Sequence, residues 1–123
     1  MTKLFAMAIP ILAGKTEQWK KFSLELKTKY RKEFYASRKA LGVQERTFFQ
    51  STPMGDMIIV TLQGEDPQGA FQKFGEKTDE FTKWFASQAK EIHGIDLTQK
   101  PSGKLPELVI ETEAIEEPVH LLK

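Results

Sequence analysis

The sequence contains no cysteine and only two histidines among its 123 residues. The absence of cysteine excludes disulfides, a thiol nucleophile, and zinc or iron–sulfur sites built on thiolates. A chain without disulfides suits a reducing compartment, and we expect a cytoplasmic protein.

Neither sign of charge is in large excess, since 18 Lys and Arg stand against 17 Asp and Glu. This balance gives no support for nucleic acid or an anionic membrane surface as the main partner. The apolar run Leu4–Leu12 is too short to span a membrane, contains Pro10 and lacks a signal-peptide cleavage site. We therefore interpret this run as a strand, and we expect neither a nucleic-acid nor a membrane partner.

The chain also lacks the short motifs that hold phosphates, metals or activated nucleophiles. It has no glycine-rich phosphate loop, no Gly-x-Ser-x-Gly and no His-Glu-x-x-His. No metal or other cofactor is indicated, and a need for haem or flavin is left open. The strands expected at Leu4–Ile9 and Met57–Leu62 carry Phe5 as their one aromatic residue. This scarcity disfavours RNA binding by base stacking on a sheet.

The residues that are present fit a single globular domain over residues 1–123. Hydrophobic residues make up 40% and charged residues 28%, which is typical of such domains. The tail at 113–123 is expected to be flexible or to dock on a neighbour. The patterns first predict a strand at Leu4–Ile9 and one long amphipathic helix capped by Thr16 and closed by Gly42. Strands at Glu45–Thr52 and Met57–Leu62 follow. Next come a helix that begins at Asp66-Pro67, a helix capped by Thr78 and ended by Gly94, and a strand at Leu108–Thr112.

This order of elements, βαββαβ, predicts an α+β domain of ferredoxin-like type. Its helices would cover one face of the sheet and leave the other face to water. Because the first and third strands are apolar on both sides, the second face also needs a cover. A second copy of the chain is the simplest cover, so we expect a homodimer of the dimeric α+β barrel kind.

A set of short stretches carries a resemblance to a known family. They are Pro10-Ile11-Leu12-Ala13-Gly14-Lys15-Thr16, Ala36-Ser37-Arg38, Leu41-Gly42-Val43 with Glu45, Phe81 with Trp84-Phe85, and Ile92-His93-Gly94-Ile95-Asp96-Leu97. On these stretches the chain up to Leu108 resembles an uncharacterised bacterial family of small domains of unknown function. The resemblance implies a ferredoxin-like fold and no particular reaction. More distantly, the layout is similar to the dimeric α+β barrel superfamily, which includes antibiotic-biosynthesis monooxygenases, haem-degrading enzymes and muconolactone-isomerase-like proteins, an analogy at the level of the fold.

Three residues are candidates for catalysis, namely His93, Arg38 and Glu45. An imidazole is suited to proton transfer near neutral pH, and a neighbouring carboxylate, from Asp96 or Glu45, would raise its pKa. The alternative is that His93 only satisfies the last carbonyls of its helix. Arg38 and Glu45 flank a helix end, where they form either a buried pair facing a cavity or a surface pair that closes the helix.

Three further residues, Tyr35, Trp84 and Asp96, are candidates for ligand binding. The aromatic side chains would line a pocket between helices and sheet, although ordinary core packing explains the same spacing. The ligand expected there is small and apolar or bears a carboxylate. Asp96 and His93 provide two metal ligands with no third nearby, so no metal site is predicted.

Two functions follow from these candidates and both stay open. One is a cofactor-independent oxygenase or isomerase acting on small organic molecules. The other is a non-catalytic dimeric module that binds a ligand or a partner. An open helix–sheet cavity with convergent polar groups favours the enzyme, and a closed, dry core favours the module.

Overall fold

The computed structural model describes residues 2–99 and 104–115. Over these residues the protein is α+β, with three strands and four helices. The elements are β1 (Lys3–Pro10), α1 (Thr16–Lys27), α2 (Arg31–Ala40), β2 (Val43–Thr52), β3 (Gly55–Gly64), α3 (Pro67–Glu76) and α4 (Glu80–His93).

The sheet is antiparallel, with the strand order β1-β3-β2. The central strand β3 pairs through Gly64 with Lys3 of β1 and with Val43 of β2. This order confirms the α+β class and is consistent with the ferredoxin-like arrangement. The hairpin formed by β2 and β3 is also as predicted.

The expected fourth strand at Leu108–Thr112 does not form. Residues 104–115 are neither helix nor strand. That prediction is wrong for the single chain, and residues 2–99 and 104–115 do not contain the complete βαββαβ pattern. A strand-type sequence becomes a strand only where a neighbouring strand and a packing surface meet it. No such strand lies beside this segment within the described part of the chain.

The prediction of a single long helix is also wrong, since the helix is interrupted between Lys27 and Arg31. At the break the Thr28 hydroxyl donates to the carbonyl of Leu24, with an oxygen–oxygen distance of 2.7 Å. Such side-chain hydrogen bonds compete with the helical backbone pattern. The apolar spacing continues across the break, which explains why the sequence suggests one helix.

Two predicted caps are misplaced. Lys15 occupies the position before α1, while the Thr16 hydroxyl donates to the Asp56 carboxylate at 2.6 Å. Helix α4 is capped by Asp79 and not by Thr78. At α1 a tertiary contact engages the Thr16 hydroxyl, whereas at α4 the local bonds from Thr82 to the Asp79 carboxylate form the cap.

The other helix boundaries agree with the sequence. Asp66 caps α3 by accepting from the backbone N–H of Gly69, and Pro67 follows at the first helical position. Gly42 and Gly94 both adopt the left-handed conformation, with φ of 73° and 70°. These two glycines close α2 and α4 as predicted.

The helices cover one face of the sheet, which carries the core. Inward side chains of β1, such as Phe5 and Met7, are buried, while Leu4, Ala6 and Ala8 are exposed on the opposite face. We call that opposite face the outer sheet face. It comprises Leu4, Ala6, Ala8 and Pro10 of β1, Gln44, Arg46, Phe48 and Gln50 of β2, and Met57, Ile59, Thr61 and Gln63 of β3.

The helices are short relative to a lipid bilayer. Within residues 2–99 and 104–115, none combines the length and the apolar character needed to cross a membrane.

Candidate functional site

A cavity of about 340 Å³ lies between the helices and the inner face of the sheet. Its wall is mostly apolar, with core side chains from all three strands and all four helices. The volume is at the lower end of the range of small-molecule sites. The core of this protein is therefore open enough to hold a ligand.

The cavity reaches solvent between α1 and β2. Of its lining residues only Lys27 on α1 and Thr47 on β2 are exposed, so we place the mouth between them. Close by, Trp19 of α1 stacks on Phe49 of β2, with ring centroids 5.3 Å apart and planes at 23°. This stack connects α1 to β2, the two elements between which we place the mouth.

Arg38 and Glu45 form a partly buried ion pair in the cavity wall. The Arg38 Nε donates to Glu45 Oε1 at 2.7 Å, and each side chain is only 11% exposed. The turn at Gly42 brings the last turn of α2 over the start of β2, so that the two residues meet. Of the two alternatives left open by the sequence, the structure contains the pair that faces a cavity.

Aromatic rings hold the guanidinium of Arg38 in place. Its central carbon lies 4.3 Å from the ring centroid of Phe74, 4.7 Å from that of Phe34 and 5.1 Å from that of Phe85. A planar cation over ring faces gains electrostatic attraction as well as packing. The aromatic rings thus pack on the faces of the Arg38 guanidinium group, and Glu45 hydrogen-bonds its edge.

The remaining polar contacts of the pair come from neighbouring hydroxyl groups. The Arg38 Nη1 donates to Ser37 Oγ at 3.0 Å, and the Thr47 hydroxyl donates to Glu45 Oε2 at 3.2 Å. Both carboxylate oxygens therefore have a donor, and the two charges balance. The pair presents little net positive charge to attract a carboxylate from a ligand.

His93, at the end of α4, is half-buried and lines the same cavity. Its Nδ1–H donates to the carbonyl of Pro10 at 2.8 Å. Burial lowers the pKa of the ring, although the Pro10 bond acts in the opposite direction. The ring is therefore neutral at neutral pH, with its proton on Nδ1 and a free lone pair on Nε2.

This geometry corrects the expected partner of His93. Neither Asp96 nor Glu45 hydrogen-bonds the ring, and its pKa is lowered where a carboxylate would have raised it. The helix is terminated by Gly94, whose N–H donates to the carbonyl of Lys90. His93 is thus bonded to the end of β1 and not to the last carbonyls of its own helix.

The three ligand-binding candidates lie outside the cavity lining. The Tyr35 side chain is 59% exposed on α2. Trp84 packs on Tyr30, with ring centroids 4.1 Å apart, which is a core contact behind the wall. The Asp96 carboxylate accepts hydrogen bonds from the hydroxyl and N–H of Thr98, and these bonds lower its pKa. All three catalytic candidates line this cavity, and none of these three residues does. The register places Glu45 opposite Leu62, and Pro10, the partner of His93, opposite Met57, so His93 and the ion pair lie towards opposite ends of the sheet.

Sequence reasoning missed three polar residues of the wall, namely Ser23, Lys27 and Thr47. Thr47 had a usable signal, because it lies two residues after Glu45 on one strand and so shares its face. Ser23 and Lys27 lie on α1 beside buried apolar positions. Their place in the wall depends on the gap between α1 and β2, which no local pattern reveals.

Metal binding has no support in the described residues. Over 2–99 and 104–115 no group of three or more His, Asp or Glu side chains is placed to hold an ion. The polar groups of the cavity are instead one neutral imidazole, one balanced ion pair, one lysine and hydroxyl groups.

Comparisons of the chain with known protein families, with curated proteins and with solved structures find no match for it. The resemblance to an uncharacterised bacterial family therefore stays a prediction.

Proposed function

We propose that the protein binds a small, largely apolar, neutral molecule that carries a hydrogen-bond donor such as a hydroxyl group. The observation that carries this proposal is the apolar cavity of about 340 Å³, whose lining includes His93 and the Arg38–Glu45 pair. Apolar surface supplies most of the affinity of such sites, and a few polar groups fix the orientation of the ligand.

The charges of the wall favour a neutral ligand. Arg38 is already neutralised by Glu45 at 2.7 Å, so an added carboxylate would lose hydration without gaining a free cation there. Lys27 is the other cation of the lining, and it lies in solvent at the mouth. The interior is thus better suited to a hydroxyl group than to an anion.

His93 defines the polar group that the ligand needs. Its Nδ1–H is committed to Pro10, and Nε2 has no hydrogen-bond partner within residues 2–99 and 104–115. An unprotonated imidazole nitrogen accepts a hydrogen bond. The matching ligand therefore donates one, as a phenol does.

A matched pair of probes tests this proposal. 2-Naphthol has the donor, and 2-methoxynaphthalene has the same ring system without it. The chain has two tryptophans, and only Trp19 lines the cavity, so a Trp84→Phe background leaves one reporter at the site. We expect quenching of Trp19 by both probes, with 2-naphthol bound roughly three- to tenfold more tightly, as one hydrogen bond allows.

Two further variants separate the site from the rest of the surface. His93→Phe keeps a ring and removes the acceptor, so it should abolish the preference for 2-naphthol. Tyr35→Phe removes an exposed hydroxyl outside the lining and should leave both affinities unchanged. Absence of saturable quenching by either probe contradicts the cavity as a binding site, and equal affinities contradict the role of His93.

A second candidate function is catalysis by proton transfer, which the neutral ring of His93 favours. A base inside an apolar cavity fits a cofactor-independent isomerase or oxygenase, whereas the non-catalytic module needs only the hydrogen bond. 4-Nitrophenol distinguishes them, because it is yellow only as the phenolate. Bound phenolate that disappears in His93→Phe supports proton transfer, and bound phenol alone supports the module.

We also propose that the protein is a homodimer formed through the outer sheet face. One row of that face, Ala8–Ile59–Phe48, is apolar across all three strands, and Phe48 is 56% exposed. Leu4 and Pro10 extend the exposed apolar surface along β1. Such a surface favours association, and a second copy offers the same rows in return. Light scattering at micromolar concentration tests the dimer.

A further inference from the structure

Strand β1 has one unpaired edge. It pairs with β3 along its length, and within the described residues no strand pairs with its other side. Between Leu4 and Ile9 it carries no charge and no proline, which are the usual devices that keep an edge from pairing with another chain. The edge is therefore a ready acceptor for one more strand.

The same chain contains a segment suited to be that strand. Residues Leu108–Thr112 have a strand-type sequence, yet Leu108, Val109 and Ile110 are 61%, 78% and 82% exposed. Just before them, Leu105 packs against the core. The chain thus leaves its own core after Leu105 and extends three consecutive apolar side chains into solvent, which marks a docking segment.

We propose that the segment Leu108–Thr112 of one copy adds to the free β1 edge of a second copy, and that the exchange is reciprocal. Within the described residues each copy has one free β1 edge and one such segment, so a two-fold pair satisfies both. The other edge strand, β2, carries the charges of Glu45 and Arg46, which disfavour pairing there. Main-chain hydrogen bonds supply the contact in this mode of recognition. The resulting sheet has four strands, and the added strand is the one that the sequence predicts. This inference rests on the proposed homodimer and is independent of the ligand.

Disulfide cross-linking tests the exchange against a clean background, because the chain has no cysteine. One set of variants carries a single cysteine at each position from 108 to 112, and a separate variant carries Ala6→Cys. Ala6 lies in the middle of β1, with an exposed side chain on the outer sheet face. Neighbouring residues of paired strands are close enough for a disulfide.

Mixing the Ala6→Cys variant with each segment variant detects only pairing between copies. After mild oxidation we expect linked peptides by mass spectrometry at alternating positions of the segment, because every second side chain lies on the face of Ala6. Lys39→Cys, an exposed position on α2, replaces Ala6→Cys in the control and should give no such alternation.

The outcomes separate the exchange from the dimer itself. Alternating links between copies support the exchange. A light-scattering dimer without these links, or with links that form only within a chain carrying both cysteines, overturns the exchange and leaves the dimer standing. A monomer by light scattering overturns both.

Discussion

The Nδ1–H of His93, at the end of α4, donates a 2.8 Å hydrogen bond to the carbonyl of Pro10, at the end of β1. The two residues are 83 positions apart, so this bond connects the last helix to the first strand. It also selects the tautomer of the ring, because a carbonyl accepts only from a protonated nitrogen. The structural bond thus leaves Nε2 of this cavity-lining residue as an acceptor.

The pKa of His93 should lie below the 6.5 of a free histidine, because burial disfavours the charged ring. NMR titration measures it, and His93→Asn assigns the signal, since the chain has only one other histidine. The unfolded chain then binds the proton more readily. The contribution of the neutral His93 ring to the free energy of unfolding should therefore be fully present above about pH 6.5. It should be lost as the pH falls through the folded-state pKa. A measured pKa at or above 6.5 contradicts this expectation.

Removing one member of the Arg38–Glu45 pair should be costly. Arg38→Ala leaves a carboxylate that is 11% exposed without its partner. Breaking a fully buried pair costs about 3–5 kcal/mol, which is the upper limit for this partly buried one. In a double-mutant cycle with Glu45→Ala, measured by urea unfolding, the double variant should lose less than the sum of the two single losses. The two losses would add if the pair contributed no coupling.

Arg38→Lys provides the matched control for charge. Lysine keeps the positive charge but lacks the planar face that lies over Phe34, Phe74 and Phe85. It should therefore restore only part of the stability lost in Arg38→Ala. Full restoration would show that the rings do not hold the guanidinium.

Local patterns predicted the β2–β3 hairpin and the glycine helix ends, but not the break in the first helix or the absence of a strand at Leu108–Thr112. The hairpin of β2 and β3 and the glycine helix ends depend on residues near each other in the chain. The break at Thr28 was not predicted, because the apolar spacing from Trp19 to Phe34 runs through it. At the break Thr28 leaves the helical conformation, and the N–H of Tyr30 bonds the carbonyl of Glu25, five residues back.

In the candidate site, too, the local contacts were predictable from the sequence and the long-range contacts were not. Arg38 and Glu45 are seven residues apart across a glycine turn, so their meeting is a local event that the sequence suggested. The Pro10 partner of His93 depends on how α4 packs against β1, which no spacing encodes. An acidic partner was expected because Asp96 is near in sequence, yet its carboxylate bonds Thr98.

Two glycines at the same end of the sheet should respond differently to alanine. Gly42 has φ of 73° and open space where a Cβ would lie, so Gly42→Ala should cost about 1–2 kcal/mol from backbone strain alone. A Cβ on Gly64 would collide with the carbonyl oxygen of Gly42, so Gly64→Ala should cost more. Denaturation midpoints compare the two variants, and the reverse order would contradict the packing of β3 against this turn.

Phe48→Glu should convert the proposed dimer to a monomer. It places a charge in the row formed with Ala8 and Ile59, where a second copy would bury it. Gln44→Glu, at the polar end of the same face, is the control and should affect association much less. Light scattering over a dilution series measures both variants, and an unchanged dimer in Phe48→Glu would show that this face is not the interface.

The stack of Trp19 on Phe49 should control how fast a ligand enters the cavity. It joins α1 to β2, the two elements between which we place the mouth, and an aromatic pair of this kind is worth about 0.5–1.5 kcal/mol. Without the Phe49 ring, the gap between α1 and β2 should open more often by the corresponding factor, roughly two- to tenfold. In Phe49→Ala, the association and dissociation rates of 2-naphthol should both rise by that factor, while the affinity changes little. Stopped-flow fluorescence in the Trp84→Phe background measures these rates, with Phe48→Ala, on the opposite face of β2, as the control. Equal rates in Phe49→Ala and in the unmodified background would place the entrance elsewhere.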